Sequence, residues 1–268
     1  MAAQNQNDRQ ESKQRALTKS RILRFASACL AIIAIAGFSY IIWEQYHIYK
    51  AQQLVQGTDV PDNPVEQAGE ELPDNPIDFS NLWESNVESY AWLYIPSAEI
   101  NVPVQQSAID DAFYLDHDQN RNPNPLGCAF TQLANSQDFT DPVTVIYGHN
   151  VDSVFGNLHY FEDGQFFNDN QTMYIYIPGH ILTYSIIAAN EYDSRHILNS
   201  FDFSRESVRT EYFQALLNPS SLASNVRDGV ELNADSKIVQ LSTCTPTFRD
   251  TTKRYIVTAV LVDDQETK

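Results

Sequence analysis

The chain has 268 residues, 43% apolar and 12% aromatic, with 17 Lys and Arg against 35 Asp and Glu. The apolar share excludes a wholly disordered chain, 9 Gly and 12 Pro exclude a collagen-like one, and three cysteines are too few for a disulfide-built scaffold. A net charge of −18 argues against nucleic acid as a partner, because phosphate binding needs clustered Lys and Arg.

The N-terminal end differs from the rest. Residues 25–43, Phe25 to Trp43, run without a charge. As a helix they span about 28 Å, close to the hydrocarbon thickness of a bilayer. Lys13, Arg15, Lys19, Arg21 and Arg24 outnumber Asp8 and Glu11 before the span, so the positive-inside bias predicts a cytoplasmic tail over 1–24. Everything after Trp43 is then extracellular, on a single-pass protein of the cell membrane. A cleaved signal peptide has a shorter apolar core and an A-x-A-like site, and a buried core helix shows a polar face; neither pattern is present. Cys29, inside the span, reads as a small apolar filler.

Residues 44–79 are acidic and carry proline. They hold a short repeat, Val60-Pro61-Asp62-Asn63-Pro64 and Leu72-Pro73-Asp74-Asn75-Pro76. Proline fixes φ and disfavours helix in the residue before it, so the segment reads as an extended stalk. Two copies of five residues bury nothing and make no repeat fold.

From residue 80 to 264 the pattern turns dense and short in period. Ala91–Ile95, Glu99–Val104, Val143–Tyr147, Met173–Ile177, Ile181–Ala189, Lys237–Thr243 and Tyr255–Val262 are rich in Val, Ile, Thr and Tyr. Several are bounded by turn signals such as Pro178-Gly179, and together they predict a mainly β domain, a barrel or a sandwich. One helix is predicted near 203–217, where Val208, Tyr212, Ala215 and Leu216 share a face. Asp202 or Ser204 is placed to cap it. Asp110–Gln137 reads as a long loop.

The most informative residues lie at strand ends. Lys237–Thr243 runs straight into Cys244, and Arg254 opens the strand that follows. If those strands pair antiparallel, a thiol and a guanidinium share one end of the hairpin and suit the roles of nucleophile and oxyanion donor. Val143–Tyr147 runs into Gly148-His149-Asn150, and His149 is the histidine that most clearly ends a strand. His47 is juxtamembrane, while His117, His159, His180 and His196 fall in predicted loops or turns and read as surface or packing residues. Each element also has a plain structural reading: a Cys as a buried small hydrophobe, an Arg as an edge charge. No paired Cys or His spacing suggests a metal site, and no cofactor is expected.

Tyr147-Gly148-His149-Asn150, Leu241-Ser242-Thr243-Cys244 and Arg254 resemble the His, Cys and Arg signatures of sortases, the membrane-anchored transpeptidases of Gram-positive bacteria. The resemblance runs from Ile77 to Val262. Phe113–Asp118, Phe155-Gly156-Asn157-Leu158 and the helix near 203–217 are similar to class B in particular. Val151 and Thr245-Pro246 depart from residues common in that class. Cys128 takes a position expected to be a small or apolar core residue.

The resemblance implies a closed sortase-type β-barrel with peripheral helices, and a catalytic set of His149, Cys244 and Arg254. Cys244 would cleave the C-terminal sorting motif of an exported protein through a thioester. An amine of a peptidoglycan precursor, or a pilin lysine, would then take the acyl group. His149 would move the protons and Arg254 would hold the oxyanion or the substrate. At ordinary pKa values about 3% thiolate and about 24% imidazolium coexist at pH 7, so about 1% of molecules carry both forms. Three alternatives stand beside wall anchoring: a pilus-subunit polymerase, an inactive tethered binding or sensing domain, and a stalk in which Leu72–Pro76 mimics substrate in the active site. Arg249 competes with Arg254 on proximity to Cys244 alone; the fixed strand position and the ten-residue offset favour Arg254.

Overall fold

Strand alternation dictates the architecture. In the computed structural model, residues 72–221, 223–245 and 252–268 are described, with Gly37 and Ser39. The predicted cytoplasmic tail, the predicted membrane span apart from those two residues, and the stalk up to residue 71 lie outside them. Among the described residues no helix is long and apolar enough to cross a membrane.

The strands are β1 Ser89–Ile95, β2 Ile100–Gln105, β3 Ala129–Phe130, β4 Val143–Tyr147, β5 Thr172–Ile177, β6 His180–Asp193, β7 Ser224–Val226, β8 Ile238–Cys244 and β9 Lys253–Glu266. Their order is β5-β1-β2-β3-β4-β8-β9-β6-β7, and β5 also pairs with β6. That last pairing closes eight strands into a barrel. β7 extends the far half of β6, beyond the reach of β5. The helices are α1 Phe79–Ser85, α2 Gly164–Asp169, α3 Ile197–Ser200 and α4 Glu206–Leu217.

Alternate residues of each strand fill the interior: Leu93 and Ile95 from β1, Val239 and Leu241 from β8, Val257 and Ala259 from β9. Burying a side chain of this size stabilises by about 1.5–3 kcal/mol. The other face of β4, β8 and β9 stays apolar where helices cover it. Val143, Val145, Ile238 and Ile256 pack under Ile197 of α3 and Tyr212 of α4. A polar chain runs through that layer: the Tyr212 hydroxyl donates to Gln240 Oε1 (2.7 Å), and Gln240 Nε2 donates to Thr258 Oγ1 (3.2 Å).

The predicted helix starts later than its sequence suggested, at Glu206, with Arg205 at the N-cap and no side-chain cap bond. Asp202 is occupied elsewhere: its Oδ1 accepts from the backbone N–H and hydroxyl of Ser204, closing a turn ahead of the helix. The predicted loop over 110–137 contains the two residues of β3, too short for any periodicity to reveal.

Residues 72–79, which composition places in the stalk, lie against the barrel. Asn75 Nδ2 donates to the Ile177 carbonyl (2.9 Å), and Ile77 and Phe79 are buried with Trp92 and Tyr176. Lys268 N–H donates to the Pro73 carbonyl (3.0 Å). These contacts sit at the β5–β6 turn. Arg254 lies at the opposite end of β9, so Leu72–Pro76 is remote from the proposed catalytic rim and is not a substrate mimic within it.

Candidate active site

β4 and β8 pair in parallel, Tyr147 beside Ser242, so both strands finish at one rim of the barrel. β9 begins there, because it runs antiparallel to β8 with Cys244 directly opposite Arg254. Cys244 shares its parity with Ile238 and Gln240, and Arg254 shares its own with Ile256 and Thr258; both therefore point to the outer face. The thiol and the guanidinium are cross-strand neighbours at the mouth of the hairpin, and His149 leaves the adjacent strand two residues past Tyr147. The structure brings the three predicted residues to one rim. Arg249, the competing arginine, lies outside the described residues.

The chain leaves β4 abruptly. Gly148 N–H donates to the Ser242 carbonyl (3.1 Å), the last rung of the ladder. The next residues then curl, with the His149 carbonyl accepting from Val151 N–H (2.9 Å) and Phe155 N–H (3.1 Å). Gly148 is not in the left-handed region. It is required for space: a Cβ there would meet Phe155 Cδ2 at 2.6 Å and Val154 Cγ1 at 2.7 Å. Glycine serves here through the close approach of a buried aromatic ring.

His149 Nε2 lies 2.7 Å from the Leu115 carbonyl oxygen. A carbonyl only accepts, so Nε2 is the nitrogen that carries hydrogen in this contact and Nδ1 is left facing away from it. Leu115 is itself anchored by its neighbours. The Tyr114 hydroxyl donates to Glu88 Oε2 (2.5 Å) and accepts from Asn86 Nδ2 (2.7 Å), and the Arg121 guanidinium pairs with the same Glu88 oxygen. Gly127, at φ 56°, lets the loop return close beneath: a Cβ there would stand 2.6 Å from the Tyr114 carbonyl oxygen and 2.7 Å from that of Leu115. A side chain at 127 would push on the very oxygen that orients His149. No residue-type signal pointed to Leu115, because its contribution is a backbone carbonyl.

Burial pushes the Glu88 carboxyl up, but hydrogen bonds from Tyr114 and the Ala108 N–H, with the Arg121 charge, outweigh it and hold the group below its ordinary value. The two described cysteines differ sharply. Cys244 is exposed, whereas Cys128 is buried beside Tyr114 and Phe130. Burial, and secondarily the negative charge of Asp118, raises the Cys128 thiol well above its ordinary pKa. Among the described residues no group of His, Cys, Asp and Glu is arranged to hold a metal.

Arg254 Nη1 donates to the Lys253 carbonyl (2.8 Å), and Lys253 pairs with Glu191 of β6 (2.6 Å). A second histidine reaches the rim. His159, read from sequence as a surface or packing residue, places Nε2 3.0 Å from the Cys244 carbonyl oxygen and Nδ1 2.6 Å from Glu162 Oε1. Its i, i+3 spacing from Glu162 was the available signal.

Comparison with known proteins follows the same residues. A family model described as Sortase domain matches residues 93–262. Sortase B of Listeria monocytogenes is 30% identical over 179 residues, covering 65% of this chain and 68% of the relative. The crystal structure of Clostridium perfringens sortase B superposes with a TM-score of 0.62 at 28% identity, covering 69% of this chain and all of that one. A Streptococcus pyogenes class B sortase involved in pilus biogenesis shares the fold, with a TM-score of 0.59 at 23% identity over 70% of this chain and all of its own.

Thiol reactivity checks the exposure difference. Iodoacetamide on the native chain should modify Cys244 and spare Cys128 when the sites are mapped by mass spectrometry, because only an accessible thiolate reacts. Equal labelling of both would contradict the geometry. The Glu88 cluster has a pH signature. A carboxyl held below its unfolded pKa contributes stability above the ordinary glutamate value of about 4.3, and loses it as pH falls through the folded value. Glu88→Gln should therefore lower the melting temperature at about pH 7, with the gap to wild type closing as pH falls through the folded value. A gap that persists unchanged at the acid end would contradict the assignment.

Proposed function

This chain belongs to the sortase family of cysteine transpeptidases, within class B, and on that premise we propose that it is a membrane-anchored enzyme whose nucleophile is Cys244. The observation that carries the assignment is the pairing of Cys244 with Arg254 at the rim where β4 delivers His149. The thiolate sulfur of Cys244 attacks the Thr carbonyl of a C-terminal sorting motif. Arg254 donates to the oxygen that becomes negative. The C–N bond then breaks, the leaving amine takes a proton from His149 Nδ1, and a thioester remains. An incoming amine attacks that thioester, gives its proton back to Nδ1, and expels the Cys244 sulfur. Throughout, Nε2–H stays on the Leu115 carbonyl, so one imidazole orientation serves both halves of the cycle.

The acceptor in this reading is an amine of a peptidoglycan precursor. The uncharged span 25–43 and its basic N-terminal flank support anchoring with the catalytic domain outside the cell. Acyl transfer to a precursor amine over a lysine of a second subunit favours wall anchoring; the reverse preference supports pilus polymerisation.

Kinetics on the full-length chain test the roles. Cys244→Ala should abolish both peptide cleavage and thioester trapping, and retained turnover would refute the mechanism. His149→Ala should lose cleavage and aminolysis together. Removing one oxyanion donor costs roughly 10²–10³ in rate, so Arg254→Ala should lose about that much in kcat and Arg249→Ala less than about tenfold. Arg254→Lys should rescue poorly, since an ammonium lacks the planar fork of donors. A larger loss at Arg249 would transfer the role. Topology is checked on protoplasts, where external protease should release the catalytic domain by cutting within the acidic stalk. A protected domain would overturn the membrane orientation.

A further inference from the structure

The end of β8 presents a problem that a strand interior does not. In a parallel pair, alternate carbonyls of one strand accept from alternate N–H groups of its neighbour. Ser242 accepts from Gly148 on the β4 side, and the Cys244 carbonyl, two residues on, points the same way. Had β4 continued, residue 150 would have supplied the donor. The chain instead leaves the sheet at Gly148, so the residue proposed to attack substrate carries a carbonyl with no ladder partner from β4.

His159 takes that place. It lies in the 3₁₀ helix Gly156–Glu162, whose Leu158 and Phe161 are buried in the barrel core. Its ring rests 4.7 Å from the Tyr255 ring, its Nε2 faces the Cys244 carbonyl at 3.0 Å, and its Nδ1 faces Glu162 Oε1 at 2.6 Å. The His159 side chain is 13% exposed. Both partners only accept, so a ring nitrogen that carries hydrogen donates to the oxygen it faces.

We infer that His159, oriented by Glu162, is a positioning residue for the transpeptidation reaction: it replaces the missing ladder donor at the end of β8 and holds the peptide that carries Cys244. The inference rests on Cys244 being the nucleophile. Without that bond the last peptide of β8 frays, and the Cα and sulfur of Cys244 move with it. His159 touches neither substrate nor sulfur; it acts through the backbone.

The test compares variants of the full-length chain in peptide cleavage, reading kcat and KM separately, with Cys244→Ala alongside. His159→Phe keeps an aromatic ring on Tyr255 and donates nothing. A misplacement of about 1 Å can cost about 10², so kcat should fall about ten- to a hundred-fold while KM stays within about twofold. His159→Arg should recover most of the rate, because a guanidinium donates to both acceptors. Packing alone predicts the reverse order, with Phe better than Arg, and that order would overturn the proposal. Glu162 is half exposed, so its variants probe the relay without disturbing the core. Glu162→Ala should lower kcat several-fold and Glu162→Gln should restore it, since its amide still orients Nδ1. Wild-type kcat in both His159→Phe and Glu162→Ala, with Cys244→Ala inactive, would refute the positioning role and leave the nucleophile intact. Turnover by Cys244→Ala would refute the nucleophile instead.

Discussion

The parallel pairing of β4 with β8 is the constraint on which the site depends. Two segments distant in sequence finish level with each other because Tyr147 sits beside Ser242. From that one register follow the arrival of His149 and Cys244 at one rim and, through the antiparallel pairing of β8 with β9, the placement of Arg254. A slip of one residue would turn Cys244 into the barrel and bring Ile238 and Gln240 with it, burying a polar amide among aliphatic side chains. The interior packing of Val239 and Leu241 therefore specifies which face Cys244 presents at the strand's end.

Closure matters as much as register. The pairing of β5 with β6 closes eight strands into a ring and leaves the three-residue β7 as a short edge beside β6, while α3 and α4 cover the outer face of β4, β8 and β9. The covering ends at the rim. Reactive groups consequently stand where backbone geometry is rigid and side chains still meet solvent, a combination that loops alone do not provide.

Much of this was legible in the residues. Alternating Val, Ile, Thr and Tyr marked every long strand, and strand ends marked Cys244, His149 and Arg254, although local pattern left each with a plain structural reading until the motifs were taken together. Three features were hidden for identifiable reasons. β3 has two residues and no period to detect. The orientation of His149 depends on the Leu115 carbonyl, a group every residue possesses. His159 lay in a segment that read as loop, and its role follows from where β4 stops, a property of tertiary pairing. The Asp202 cap failed for a local reason, since Ser204 competes for the same carboxylate.

The contact between Lys268 and Pro73 joins the two ends of the folded domain at the β5–β6 turn, far along β9 from the Cys244 rim. Tension applied at Pro73 therefore enters at the end of the barrel opposite the Cys244 rim. It loads the Asn75 and Lys268 contacts first, and the long antiparallel seam of β6 and β9 lies between that load and Arg254. Load entering at that end is spread over the β6–β9 seam before it reaches the rim that carries Arg254 and Cys244.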